Sequence, residues 1–271
     1  MSLIEQVMRR QAHERAATGH AASPGAALAR GRPELTAVPE STVQYRPAAV
    51  DPEALERSRV LLRVQDVAVS RAYKILRTRV LHRMAAQGWF TLGITGTGAG
   101  EGKTLTAINL AIALAQDPNA WVFLVDLDLQ RPQVGAYLGM SYEYGLTDYL
   151  TGHAELEQVV YDIGIKRLAV VPNASPVETS SEHLRSARMA DFINALEAQT
   201  PRRIVILDMP PIMVSDDVLA FAPRVDTFLL VASQGQTARR TLANAKEILS
   251  ELNILGVVLN RSTEHNDSPY Y

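Results

Sequence analysis

The chain predicts a doubly wound, mostly parallel α/β sheet flanked by helices, and three observations carry that prediction. Six short runs are apolar throughout, as strands covered on both faces are. Helical segments alternate with them, the pattern of successive βαβ units. The first run also leads through a glycine-rich loop straight into a helix, FTLGITGTGAGEGKTLTAINLAIALAQ over residues 90–116. In such sheets ligands bind beyond the carboxyl ends of the strands, where this loop falls.

The glycines of that loop free the backbone to aim several N–H groups at one point, beside the unpaired donors of a helix N-terminus. That is a phosphate cradle. Its residues are Gly98, Gly100, Glu101, Gly102, Lys103, Thr104 and Leu105. Lys103 is placed to reach the outer phosphates of a bound ligand, and the Thr104 hydroxyl to take a position on Mg2+. The pattern G-x-x-x-x-G-K-[ST] has glycine six residues before the lysine, where this chain has Thr97.

Residues 2–17 suggest a short amphipathic helix with Leu3, Ile4, Val7 and Met8 on one side and a capping box of Ser2 and Glu5. It is either a docking helix for a partner or anionic lipid, since Arg9 and Arg10 follow the stripe, or a helix that packs on the domain. From about Thr18 to Pro52 the chain is rich in Ala, Gly, Pro and Arg and reads as a flexible linker. Residues 1–52 are thus expected to precede a nucleotide-binding domain over 53–262 and a tyrosine-ended tail over 263–271.

Helical character returns from Pro52 to Gln87. Val67, Ala72, Ile75, Leu76, Val80 and Met84 carry its apolar spacing, with Arg71, Lys74, Arg77, Arg79 and Arg83 elsewhere. Strands are then expected at Phe90–Thr95, Trp121–Asp126, Leu168–Pro172, Ile204–Asp208, Thr227–Ala232 and Ile254–Asn260. Helices are expected at Leu105–Ala115, Glu155–Tyr161, Glu182–Ala198, Val218–Ala222 and Arg239–Leu252. Thr179 and Glu182 form a capping box for the third of these, with Leu184, Ala187, Phe192 and Leu196 on its buried face.

Composition narrows the function. Hydrophobic residues are 47% and charged residues 21%, enough for a sizeable core. The formal net charge of −2 gives nucleic acid no attraction. The absence of cysteine excludes disulfides, thiolate metal sites and cysteine nucleophiles, and fits a cytoplasmic protein. No apolar run approaches the ~18 residues that span a bilayer. The six histidines share no metal-ligand spacing, and no Ser-His-Asp arrangement is supported.

Two further strands end in aspartate: Trp121–Asp126, which continues to Asp128, and Ile204–Asp208. Carboxylates at strand ends in a sheet with a phosphate loop are a usual means of holding Mg2+. Asp126 and Asp128 are two apart and point to the same side in extended chain, so one can serve the metal while the other faces an incoming hydroxyl. Asp216 and Asp217 most simply cap the helix that follows, though Asp216 could reach the nucleotide side. Asn260 could read the adenine edge or simply make a turn.

TGTGAGEGKT, FLVDLDLQRP and VILDMPP, in that order, resemble the Walker A, A′ and B motifs of the bacterial tyrosine kinases of polysaccharide export. The likeness runs from about Arg71 to Asn260 and takes in GLTDYLTG (145–152), LRSARM (184–189) and GVVLNRS (256–262). The starting SLIE and the tyrosine-ended tail are most similar to the autokinases of exosortase-linked exopolysaccharide clusters. The resemblance implies a P-loop NTPase fold and ATP·Mg2+-dependent autophosphorylation on C-terminal tyrosines, here Tyr270 and Tyr271, in trans within a homo-oligomer. It also implies a membrane-anchored chain-length (co-polymerase) partner that recruits the chain to the inner face of the plasma membrane. The sequence departs from the family's pattern at Ala99, where proline is usual, and at Gln130, where arginine is usual. It also carries Arg71, Lys74 and Arg77 where E-x-x-R-x-x-R is usual.

Two readings follow. In the first, an enzyme, Lys103 and the loop hold the β- and γ-phosphates, Mg2+ sits among Thr104, Asp126 and Asp208, and Asp128 orients or deprotonates a tyrosine hydroxyl. In the second, the same site binds and slowly hydrolyses ATP as a switch for an export complex, in the manner of partition and septum-site ATPases. Those relatives usually carry an extra lysine five residues before the loop lysine, and here that position is Gly98.

Overall fold

The computed structural model describes residues 45–63, 66–177, 179–198 and 203–262. The expected helix over 2–17, most of the linker and the tail with Tyr270 and Tyr271 lie outside the described residues.

The described chain opens with a two-residue strand β1 (Arg46–Pro47), helix α1 (Pro52–Arg57) and the long helix α2 (Val67–Gln87). Aspartates start both helices. Asp51 accepts from the Glu53 amide at 3.0 Å, and Asp66 accepts from Ala68 at 2.8 Å. Gly88 ends α2 in the left-handed region at φ 70°. The buried residues of α2 are Val80 and Met84, while Val67, Ala72 and Ile75, expected on its packed stripe, are exposed. Its C-terminal half packs through Val80 and Met84 on the apolar layer that holds Ile108 and Leu110, and there Arg77 donates to the Ala113 carbonyl at 3.4 Å and Arg83 to the Leu255 carbonyl.

Strand β2 (Thr91–Gly96), helix α3 (Lys103–Ala115) and strand β3 (Trp121–Asp126) follow as one unit. Short helices α4 (Val134–Leu138), α5 (Leu146–Leu150) and α6 (Leu156–Val159) lead to β4 (Tyr161–Asp162) and β5 (Leu168–Val171). Then come α7 (Ser180–Arg185), α8 (Ala187–Ala198), β6 (Arg203–Asp208), α9 (Asp217–Phe221), β7 (Thr227–Ser233), α10 (Arg239–Ile248) and β8 (Ile254–Asn260). The sheet order is β1-β4-β5-β3-β6-β2-β7-β8, and every pairing is parallel except β4 with β5.

All six expected strands form. The two additional ones are two residues each and carry no readable period. The segment expected as a helix over Glu155–Tyr161 ends at Val159, and Tyr161 joins β4. The helix expected over Glu182–Ala198 is broken at Ser186, which turns extended at ψ 157° and accepts from the Met189 amide at 3.1 Å. The break rotates the buried face, so Ala187 is exposed and Met189 and Ile193 join Leu184, Phe192 and Leu196 inside. The Thr179–Glu182 capping box is not formed, because the Thr179 side chain makes no cap bond. Helix α10 stops at Ile248 rather than Leu252, where the chain passes into turns.

The sheet separates two apolar layers. Along β3, Phe123 and Val125 face the layer of α8 and α9, with Phe192 and Phe221, while Val122 and Leu124 face α3, with Ile108 and Leu110. Strand β6 alternates likewise. This period of two between two covered faces is why the strands are apolar throughout. Phe192 is fully buried and packs on Tyr149 at 5.6 Å between ring centroids. Phe192→Ala is therefore expected to lower the unfolding free energy by about 3–5 kcal/mol in a urea titration. A loss under about 1 kcal/mol would place that ring outside the cooperative core.

Candidate functional site

The carboxyl ends of β2, β3 and β6 meet at the glycine-rich loop. Gly100 and Gly102 sit at φ 74° and 90°, a region other residues adopt only with strain. A β-carbon at Gly102 would also run into the Asn260 amide. Lys103 begins α3 and curls back, its Nζ donating to the Gly98 carbonyl at 2.9 Å. Burial pulls the Lys103 pKa down against the attraction of Asp208, Asp128 and Glu101.

Glu101 turns inward, and its carboxylate accepts from the Thr97 and Gly98 amides at 2.6 and 2.9 Å. It also accepts from the Thr97 and Thr237 hydroxyls, each at 2.5 Å. Burial would raise its pKa, but these hydrogen bonds outweigh burial and hold it below the usual value. Among the described residues, the amides of Gly100, Gly102, Lys103 and Thr104 donate to nothing else in the chain. They are the orphan donors of a helix start and its loop, free for an anion. Thr104 and Leu105 follow on the first turn, both half-buried.

Asp126 and Asp208 are cross-strand partners in register at the ends of β3 and β6, and both are buried. Asp126 accepts from the Gln133 and Val134 amides through Oδ2, each at 2.9 Å, while its Oδ1 has no partner. Neither oxygen of Asp208 has one. The Thr104 hydroxyl lies toward Asp208 without closing a bond of ordinary geometry. Burial, and then the neighbouring Asp208, push Asp126 well up from its usual range. Burial pushes Asp208 up to about 7.

Three buried carboxylate oxygens without partners are costly as they stand and fit a hard divalent cation. No three acidic, histidine or cysteine side chains converge among the described residues, so protein ligation would stop at two carboxylates and a hydroxyl. That leaves room for phosphate oxygens and water, the usual arrangement for Mg2+.

Asp128 lies just past β3, half-buried, accepting from the Arg131 amide at 3.0 Å. Burial raises its pKa, opposed by the Arg131 amide and by Lys103. The capping expected of Asp216 and Asp217 is absent: Ser215 Oγ takes the Asp217 amide at 3.2 Å, and Asp216 makes no side-chain cap bond. Asp217 instead is buried and accepts from Ser180 Oγ at 2.9 Å and from Gln130 at 3.4 Å. Asn260, at the end of β8, donates through Nδ2 to the Glu101 carbonyl at 2.9 Å and accepts from the Arg261 amide. Sequence reasoning passes over Thr237 and Ser180, polar residues in no motif.

A phosphate cradle facing two strand-end carboxylates defines a nucleotide-binding α/β domain. The family profile described as the CobQ/CobB/MinD/ParA nucleotide binding domain matches residues 92–270. Within that class, the tyrosine-protein kinase YwqD of Bacillus subtilis (strain 168) is 32% identical over 206 residues, spanning 74% of this chain and 86% of its own. The tyrosine-protein kinase CpsD of Streptococcus agalactiae is 31% identical over 176 residues, 64% of this chain and 76% of that one. The solved kinase domain of the Escherichia coli tyrosine kinase ETK aligns at a TM-score of 0.66 and 28% identity, covering 73% of this chain and 77% of that one. The chain belongs to the bacterial tyrosine-protein kinases, a family of enzymes. No helix among the described residues is long and apolar enough to cross a membrane.

Proposed function

We propose that this chain is an ATP·Mg2+-dependent autokinase that phosphorylates Tyr270 and Tyr271 on the tail of a neighbouring copy. The observation that carries the reading is the set of partnerless oxygens on Asp126 and Asp208 beside the Lys103 loop. Lys103 and the free loop amides bind the β- and γ-phosphates of ATP. Thr104, Asp126 and Asp208 would hold Mg2+, which when bound neutralises charge on the phosphoryl oxygens. Asp128 orients the tyrosine hydroxyl and accepts its proton, as a phenol of pKa ~10 requires near neutral pH. The tyrosine oxygen bonds to the γ-phosphorus as the bond to the β-phosphate oxygen breaks, and ADP departs. Burial makes Asp128 a stronger base than an exposed carboxylate.

In this reading residues 1–52 precede a kinase domain over 53–262, and 263–271 form the acceptor tail. The protein acts in exopolysaccharide polymerisation and export, as an autokinase of the exosortase-linked kind. A membrane-anchored co-polymerase brings the homo-oligomer to the inner face of the plasma membrane, with Asn260 on the adenine side of the site.

The test is mass spectrometry of tail peptides after incubation with ATP and Mg2+. Phosphate is expected on wild type and lost in the Tyr270→Phe/Tyr271→Phe double variant. Mixing that variant with Lys103→Met should restore phosphate on the Lys103→Met tail, since one copy serves the other. Bound ATP without phosphotyrosine, even with the partner's cytoplasmic segment added, would overturn the kinase reading in favour of a nucleotide switch.

A further inference from the structure

Glu101 is 2% exposed inside a loop that is built to receive an anion. An ionised carboxylate offers about four acceptor positions, and here four donors fill them. Three come from Thr97 and Gly98 in the loop itself. The fourth is Thr237, on the segment after β7 and across the loop from α3. That hydroxyl is held from behind, because it also accepts from the Ser233 amide at 2.9 Å while the Thr237 amide donates to the Ser233 carbonyl at 2.9 Å. Gln236 beside it donates to the Ala99 carbonyl at 3.3 Å and accepts from Arg261 at 2.9 Å. The phosphate loop is thus tied to the segment after β7 at two points.

We propose that Thr237 is a positioning residue for the nucleotide, bracing Glu101 so that the loop keeps the shape that receives phosphates. The inference rests on the nucleotide reading of the site. Two consequences of the bonding lead to it. Glu101 consumes the Thr97 and Gly98 amides, so the cradle is left to the later amides at Gly100, Gly102, Lys103 and Thr104. Glu101 is also attracted to Lys103, yet Lys103 Nζ donates to Gly98 instead. A carboxylate with its fourth donor removed has a free lone pair, and the nearby ammonium is its natural partner. Lys103 would then be drawn from the phosphates by the protein's own acid. Thr237 keeps the acid occupied and the lysine available.

Thr237→Val keeps the shape and removes the hydroxyl, whereas Thr237→Ser keeps the hydroxyl. In calorimetric titration of the full chain, Val is expected to raise the Kd for Mg·ATP by about tenfold and Ser to stay within about twofold of wild type. Inorganic tripolyphosphate should show the same loss as ATP, because the brace acts on the phosphate loop and not on the base. Circular dichroism and the melting temperature report whether each variant is folded. A folded Val variant with wild-type Kd overturns the proposal. So does an equal loss in Ser, or a loss for ATP that spares tripolyphosphate. Lys103→Met is run alongside. If wild-type binding is indifferent to Lys103, the nucleotide reading itself falls and the brace with it. If binding depends on Lys103 but not on the Thr237 hydroxyl, the brace alone falls.

Discussion

Lys103→Met is expected to weaken Mg·ATP binding by at least about a hundredfold, roughly 2.7 kcal/mol, while leaving the protein folded. The lysine is buried among Glu101, Asp128 and Asp208, and it is the cation those carboxylates attract. A charged hydrogen bond is worth about 1.5–3 kcal/mol by itself. Its loss also leaves acids facing a triphosphate, so the penalty exceeds that of one missing bond. Methionine fills the space of the aliphatic stem, and the forfeited contact with the Gly98 carbonyl lies in a loop and not in either apolar layer. Isothermal titration beside circular dichroism reads both halves of the expectation. Unchanged affinity in a folded variant would show that nucleotide does not bind at this loop.

Much of this architecture is legible in the sequence because the physics is local. Val122 to Val125 are all apolar since alternate residues meet different layers, and a strand covered on one face only would have shown alternation. Lys103 and Thr104 announce themselves by their place between a strand and a helix. The break at Ser186 is not legible, because serine is tolerated in helices and its capping bond to Met189 exists only once the chain has turned. Nor is the exposure of Ile75 and Val67, whose spacing on α2 is helical although nothing in the described chain covers them. In the site, two strands ending in aspartate can be read directly. That they are neighbours in register depends on sheet order, which no local pattern encodes. Thr237 and Ser180 are less visible still, since their carboxylate partners lie 136 and 37 residues away.

Asp208→Asn is expected to abolish phosphoryl transfer and, at the same time, to stabilise the nucleotide-free protein. Asp208 is buried with no partner on either oxygen, so its charge is opposed first by lost hydration and then by Asp128, against the weaker pull of Thr104 and Lys103. Its pKa, up from 3.8 to about 7, means that the folded state holds this proton more tightly than the unfolded chain does. Such a group stabilises fully below about pH 4 and loses that contribution as pH rises through about 7. The loss amounts to at most about 4 kcal/mol for this shift. The asparagine amide recovers only part of it, since it also lacks partners, leaving a gain of about 1–2 kcal/mol at pH 8, or roughly 2–8 °C in Tm. Wild-type Tm should therefore fall between pH 5 and pH 8 more steeply than that of the variant. Adding Mg2+ with ATP should restore wild type more at pH 8 than at pH 5, because the deprotonated pair is the form that holds a cation, and should restore the variant little. A variant less stable than wild type at pH 8 would mean that Asp208 has a stabilising partner in the fold and is not poised for a metal. The arrangement implies that the protein carries an electrostatic cost in its resting state, which a bound cation and nucleotide would relieve.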